Sequence, residues 1–196
     1  MIAPPESDHL KAGDDPDPRM TDARHYSVHE SLRNGVAVQI RALHPDDGGR
    51  MDEAFKKLEQ ESIRLRFFGA KSGLTEQEHR LIRELDFDSR VVLVVTLMER
   101  GEEIIIASGS YSRMGKDAAE VAFIVEEDYH GQGVAHHLLW HLGLIARERG
   151  IARFEAEVLP HNLAMRRVFA SSGWPMTSQR VDDVIHIVLD LTRVPG

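Results

Sequence analysis

The sequence predicts a mixed α/β fold: a mostly antiparallel central sheet with one parallel strand pair, flanked by helices. Three observations carry this. Hydrophobic residues make up 42% of the 196 residues, enough for a packed core. In the first half, strand patterns are joined by short polar turns, which forces antiparallel pairing. In the second half, strand, helix and strand follow in turn, the unit that produces a parallel pair.

The elements read in order as follows. Val36, Val38 and Ile40 alternate with Ala37, Gln39 and Arg41, a half-buried strand. His44-Pro45-Asp46-Asp47 is a turn that opens a helix carrying Met51, Ala54, Phe55 and Leu58. Thr75 and Glu78 have capping-box spacing before a helix with Leu81, Ile82 and Leu85. Arg90 to Met98 is apolar on both faces, as in a central strand. Glu99-Arg100-Gly101-Glu102 turns the chain into a strand through Ser108. Glu120 to Val125 is the next strand. It runs into Tyr129-His130-Gly131-Gln132-Gly133 and a helix that ends at Gly150, a C-cap. Arg153 to Val158 is a strand. Asn162 opens a helix with Met165, Val168 and Phe169 inward, Gly173-Trp174-Pro175 ends it, and Val184 to Leu189 closes the sheet.

Residues 1–25 read differently. Up to Asp22 they hold six acids against Lys11 and Arg19, half of the net charge of −8, and four of the eight prolines. A segment this polar cannot offset its ordering entropy, so it is expected to be a disordered tail, with residues 26–196 a single domain. Net acidity argues against nucleic acid as a partner. The absence of Cys excludes disulfides, thiolate nucleophiles and Cys-type zinc sites, and suits a reducing cytoplasm. No apolar run reaches membrane-spanning length, and no signal peptide is recognisable. Neither secretion nor a membrane is expected.

Gly131 and Gly133 lie where a strand enters a helix. Free N–H groups there can hold a phosphate, and glycines let a ligand come close. No Gly-Lys-Ser/Thr follows, so this is no Walker loop, and His136 stands where a dinucleotide fingerprint needs a small residue. Two glycines alone are equally a structural turn.

The wider segment E-V-A-F-I-V-E-E-D-Y-H-G-Q-G-V-A, Glu120 to Ala135, resembles the strand, Gly-rich turn and helix of the GNAT N-acetyltransferase superfamily. A second landmark of that family, an Asn-led helix ending in Gly-aromatic, matches Asn162 to Trp174. S-I-R-L-R-F-F, Ser62 to Phe68, together with Ala118–Val125 and Glu155–Met165, is similar to bacterial Pat-like protein-lysine acetyltransferases. The resemblance implies a GNAT-like sheet and transfer of an acetyl group from acetyl-CoA to an amine, with a protein lysine the favoured acceptor. It places the pyrophosphate on the N–H groups of Gly131, Gln132, Gly133, Val134 and Ala135. The pantetheine pairs like an extra strand with the backbone of Val125 to Asp128, Glu127 included. Asn162 caps its helix and touches CoA, and Arg166 approaches the phosphates. His130 stands where the family has Gln or Arg.

A lysine ammonium has a pKa near 10.4, so the acceptor needs a base. The resemblance assigns that role to Glu120, which shares a face with the apolar Ala122 and Ile124, neighbours expected to raise its pKa. Phe169 stands where many relatives have a proton-donating Tyr. Phe67 and Phe68 are expected in the core, and Arg64 and Arg66 are either substrate contacts or solvated. His137 and His141 have metal-pair spacing, but no third ligand stands nearby in sequence, so no metal is expected. Two other readings remain: a small-amine acetyltransferase, and a CoA-binding sensor without turnover.

Overall fold

A computed structural model describes residues 22–193. Eight strands form one sheet in the order β1-β2-β3-β4-β5-β6-β8-β7. They are β1 (Ser27–Ser31), β2 (Ala37–Ala42), β3 (Arg90–Glu99), β4 (Glu102–Met114), β5 (Ala118–Val125), β6 (Arg153–Val158), β7 (Met176–Val181) and β8 (Val184–Asp190). The helices are α1 (Gly48–Lys57), α2 (Gln60–Phe67), α3 (Glu76–Arg83), α4 (Val134–Glu148) and α5 (Leu163–Ala170). All strand neighbours are antiparallel except β5 and β6. The mixed sheet with one parallel pair is therefore as the sequence predicts.

Three elements go beyond that reading. β1 is an edge strand whose single large apolar side chain is Val28. α2 buries Ile63 alone. β7 is exposed along its whole length and pairs in a hairpin with β8. The 1–25 tail lies outside the described residues up to residue 21. Its last four residues are ordered: Asp22 caps a 3-10 turn, Ala23–His25, whose Ala23 is fully buried.

Both sheet faces are covered, which explains the doubly apolar β3. Val91, Leu93 and Val95 face the main core with Leu138, Leu139, Leu142 and Ile145 of α4. Val94 faces a smaller core with Leu43, Ile82 and Ile105, against α1 and α3. Hairpin β3–β4 turns through Arg100 and Gly101, both at positive φ. A bulge at Ile106 shifts its register. The Thr75–Glu78 capping box forms as predicted. At the end of α4, Ile151 N–H bonds the Ala146 carbonyl and Gly150 N–H the Arg147 carbonyl, a Schellman cap with Gly150 at φ 72°.

Two contacts fix how the layers meet. Arg41 of β2 is buried and bonds both carboxylate oxygens of Asp47, at 2.7 and 3.0 Å, and Glu103 of β4 at 3.0 Å. Burial pushes the Asp47 carboxyl up, but the Arg41 hydrogen bonds outweigh it and hold the pKa below its ordinary 3.8. Across the sheet, Gly143 of α4 admits the Trp174 ring so closely that a Cβ there would lie 2.3 Å from it. Trp174 also stacks on Trp140, with centroids 5.6 Å apart. The aromatic residue of the Gly-aromatic landmark is thus packed against α4.

Asp47→Ala removes the buried partner of Arg41 and leaves the guanidinium to the part-exposed Glu103, at an expected cost of about 2–4 kcal/mol in urea unfolding. The carboxyl's contribution is present above pH 3.8 and lost as pH falls through its lower folded pKa. In Asp47→Asn that segment of the acid stability curve disappears. Gly143→Ala gains about 1 kcal/mol of helix propensity but overpacks the Trp174 ring at about 1–3 kcal/mol. A lower Tm with an altered near-UV circular dichroism spectrum is expected.

Candidate active site

β5 and β6 pair through three rungs, Ala118–Arg153, Ala119–Phe154 and Glu120–Glu155, while β5 pairs with β4 along its full length. Beyond Glu120 the parallel strands separate. The β6-facing edge of residues 121–125 therefore opens onto a cavity of about 590 Å³. Phe169 of α5 is buried in its wall, 6.1 Å from the Phe123 ring.

The Gly-rich turn closes one end of this cavity. Gly131 and Gly133 have φ of 73° and 91°, a conformation that L side chains rarely adopt. Gly133 is the N-cap of α4, so the first-turn N–H groups of Val134 and Ala135 have no carbonyl one turn earlier to bond. These four residues line the cavity with Glu120, Val125, Glu127, His130 and Asn162.

Two of the predicted contacts stand apart. Gln132 N–H donates to the Tyr129 carbonyl and its own carbonyl accepts from Arg33, so its backbone is engaged within the turn. Arg166 is exposed and donates to the Pro160 carbonyl, while its neighbour Arg167 lines the cavity. Asn162 caps α5, accepting from Met165 N–H at 3.1 Å. His130 Nε2–H reaches back to the Val125 carbonyl at 2.9 Å, so the imidazole ties the turn to the end of β5.

Glu120, Ala122 and Ile124 share one face of β5, as predicted, and line both this cavity and a second one of about 600 Å³. Glu120 is thus at the joint of the two. Glu120 is exposed and Ala122 and Ile124 are only half-buried, so the apolar enclosure expected of these neighbours does not form. The second cavity lies over α1 and α3, with Phe55, Phe67, Leu74 and Leu81 in its wall.

Sequence reasoning missed Glu126 here and left Arg66 open between a substrate contact and solvent. Glu126 continues the β5 face into the second cavity, and burial raises its carboxyl pKa. Strand parity from Glu120 is the one signal that points to it. Arg66 is half-buried and lines both cavities. Among the described residues no hydrogen bond or ion pair holds its guanidinium, which lies 5.0 Å from the Phe67 centroid. Burial lowers its pKa, against the attraction of Glu120. Arg64, by contrast, is exposed and paired with Glu61. Phe67 packs tilted against Phe55, with ring centroids 6.2 Å apart, but Phe68 is 48% exposed and not in the core: α2 ends there at φ 56°, and the ring lines the first cavity. Tyr129 also lines that cavity, with burial raising its phenol pKa.

Residues 55–174, which hold both cavities' shared wall, the Gly-rich turn and the Asn-led helix, match the acetyltransferase (GNAT) family. The chain belongs to that family. Acetyltransferase Pat of Mycolicibacterium smegmatis is 31% identical over 144 residues, covering 72% of this chain and 42% of that protein. The chain thus aligns with less than half the length of this relative. An acetyltransferase of Pseudomonas aeruginosa, PA5475, is 27% identical over 150 residues, 74% of this chain and 78% of its own. The crystal structure of the GNAT domain of S. lividans PAT superposes with a TM-score of 0.76 at 34% identity, covering 84% of this chain and 96% of that one. A Salmonella typhimurium GNAT-fold protein, yncA, solved with its cofactor acetyl-CoA, is 19% identical with a TM-score of 0.63, over 81% of this chain and 98% of its own, and shares the fold. Among the described residues of this GNAT domain, no helix is long and apolar enough to cross a membrane.

A methyl group at Gly133 would strain the left-handed N-cap by about 1–2 kcal/mol. Gly133→Ala is therefore expected to lower the Tm by a few degrees and to weaken acetyl-CoA binding in calorimetry by about tenfold, because the turn's N–H groups change direction.

Proposed function

We propose that this GNAT domain transfers an acetyl group from acetyl-CoA to the side-chain amine of a protein lysine. The observation that carries this reading is the pair of cavities sharing Glu120, Ala122 and Ile124. The first is bounded by free β-strand edge and by the N-terminal turn of α4. Pantetheine amides suit the edge, and a pyrophosphate suits the turn. The second has apolar walls for a lysine's methylene stem and carboxylates for its ammonium, with Glu126 and Glu120 at its β5 side. Membership of the acetyltransferase (GNAT) family and the likeness to acetyltransferase Pat support acetyl transfer.

In this mechanism Glu120 takes a proton from the ammonium, directly or through one water. The amine nitrogen then attacks the thioester carbonyl carbon, and a tetrahedral intermediate forms. A β5-edge N–H stabilises its oxyanion. The nitrogen gives up its second proton to solvent, the C–S bond breaks, the amide remains on the acceptor, and CoA leaves as thiolate or takes a proton from solvent. Phe169, at the position of the family's proton-donating Tyr, has no proton to give. Direct transfer also suits a chain with no cysteine to carry an acyl group.

Incubation with acetyl-CoA and lysine-containing proteins, read by mass spectrometry and by CoA release, tests the reading. Glu120→Gln is expected to lower kcat/KM by about 10²–10⁴-fold with acetyl-CoA affinity unchanged. Unchanged turnover in that variant overturns Glu120 as the base. Acetylation confined to free polyamines overturns the protein acceptor.

A further inference from the structure

The histidine pair of α4 has a third partner that sequence spacing conceals. Glu30 of β1 is 107 residues before His137 in the chain, yet it faces the same helix turn. Glu30 Oε1 lies 3.2 Å from His141 Nε2, and Oε2 lies 3.8 Å from His137 Nδ1. One ligand atom from each residue falls within 4.8 Å of the other two. A tetrahedral ion bound at about 2.0–2.1 Å holds its ligand atoms about 3.3–3.4 Å apart. The Glu30–His141 spacing already matches, and His137, on the open side of the cluster, needs a small side-chain adjustment.

The surroundings prepare these atoms for an ion. Tyr26 Oη lies 2.6 Å from His141 Nδ1, and Nε2–H donates to Glu30 at 3.2 Å; an ion would take the place of that Nε2 proton, with the Nδ1 proton then held by the phenol oxygen. This is the outer hydrogen bond that metal-bound imidazoles use to fix their tautomer and orientation. His141 is buried, held between Tyr26 on one side of its ring and Glu30 on the other. Glu30 and His137 are each about one-third exposed, at 33% and 27%, so an ion can enter and a water can complete its shell.

We propose that Glu30, His137 and His141 form a binding site for a divalent transition-metal ion, Zn(II) by its two-imidazole, one-carboxylate chemistry, that clamps β1 onto α4. The sequence-based expectation of no metal rested on the missing third ligand, and β1 supplies it. The clamp borders the Gly-rich turn. A Cβ at Gly133 would be 3.8 Å from His137 Cδ2, and Arg33, just past β1, bonds the carbonyls of Gly131 and Gln132. The role inferred is structural: the ion would hold the sheet edge against the helix that carries the turn.

The test uses the full chain, free of any affinity tag and stripped with a chelator. Zn(II) titration by calorimetry is expected to give one equivalent bound, with a higher Tm in its presence. Co(II) is expected to give the visible bands of a four-coordinate site. His137→Ala and Glu30→Gln each lower Zn(II) affinity by at least about tenfold and abolish those bands, while His25→Ala, an exposed histidine elsewhere, binds as the parent does. The metal-free Tm of each variant, compared with the parent, separates loss of the site from loss of the fold. No saturable binding at one equivalent, or equal affinity in His137→Ala and Glu30→Gln, overturns the site. If both variants prove unfolded, Co(II) bands absent from the parent overturn it, and bands present support it.

Discussion

Ala118, Ala119 and Glu120 hold β5 to β6, and the ladder stops there. A strand edge that loses its neighbour leaves backbone N–H and C=O groups that need another partner. In this chain the edge faces a cavity, so a ligand with strand-like amides can provide it. The last rung is braced. Glu155, opposite Glu120, accepts from Arg153 at 2.9 Å and lies 3.2 Å from His186, and Arg153 also pairs with Asp117 at the start of β5. The two strands are fixed at their base and free to part above it, and α5 fills the gap with Phe169.

The Gly-rich turn is held in the same manner, by bonds to backbone at its margins. Arg33 holds the carbonyls of Gly131 and Gln132 on one side, and His130 holds Val125 on the other. Carbonyls are engaged and cavity-facing N–H groups are left for an anion. His130 thus acts on the strand end, where its imidazole holds the Val125 carbonyl at 2.9 Å.

Much of this was legible because it rests on local rules. Periodicity located β3, β6 and α4, the Thr75–Glu78 spacing gave the cap of α3, and strand parity put Glu120, Ala122 and Ile124 on one face. What escaped has a common cause. β1 and β7 are edge strands with few apolar side chains, so they lack the alternation that marks a half-buried strand. α2 presents one buried residue and ends at Phe68 in a left-handed turn, so its aromatic pair splits between two cavities. The Glu30 cluster and the engagement of Gln132 depend on contacts between segments about 100 residues apart, which no local pattern encodes.

Trp140 and Trp174 are the chain's two tryptophans, and they stack on each other at the back of α4. The whole indole fluorescence of the protein thus comes from the contact of α4, whose N-terminal turn faces the first cavity, with the segment after α5. Emission and exciton coupling of this pair report on how α4 seats against the segment after α5. A ligand that shifts α4 registers there without any added label, and one that leaves the helix in place is silent.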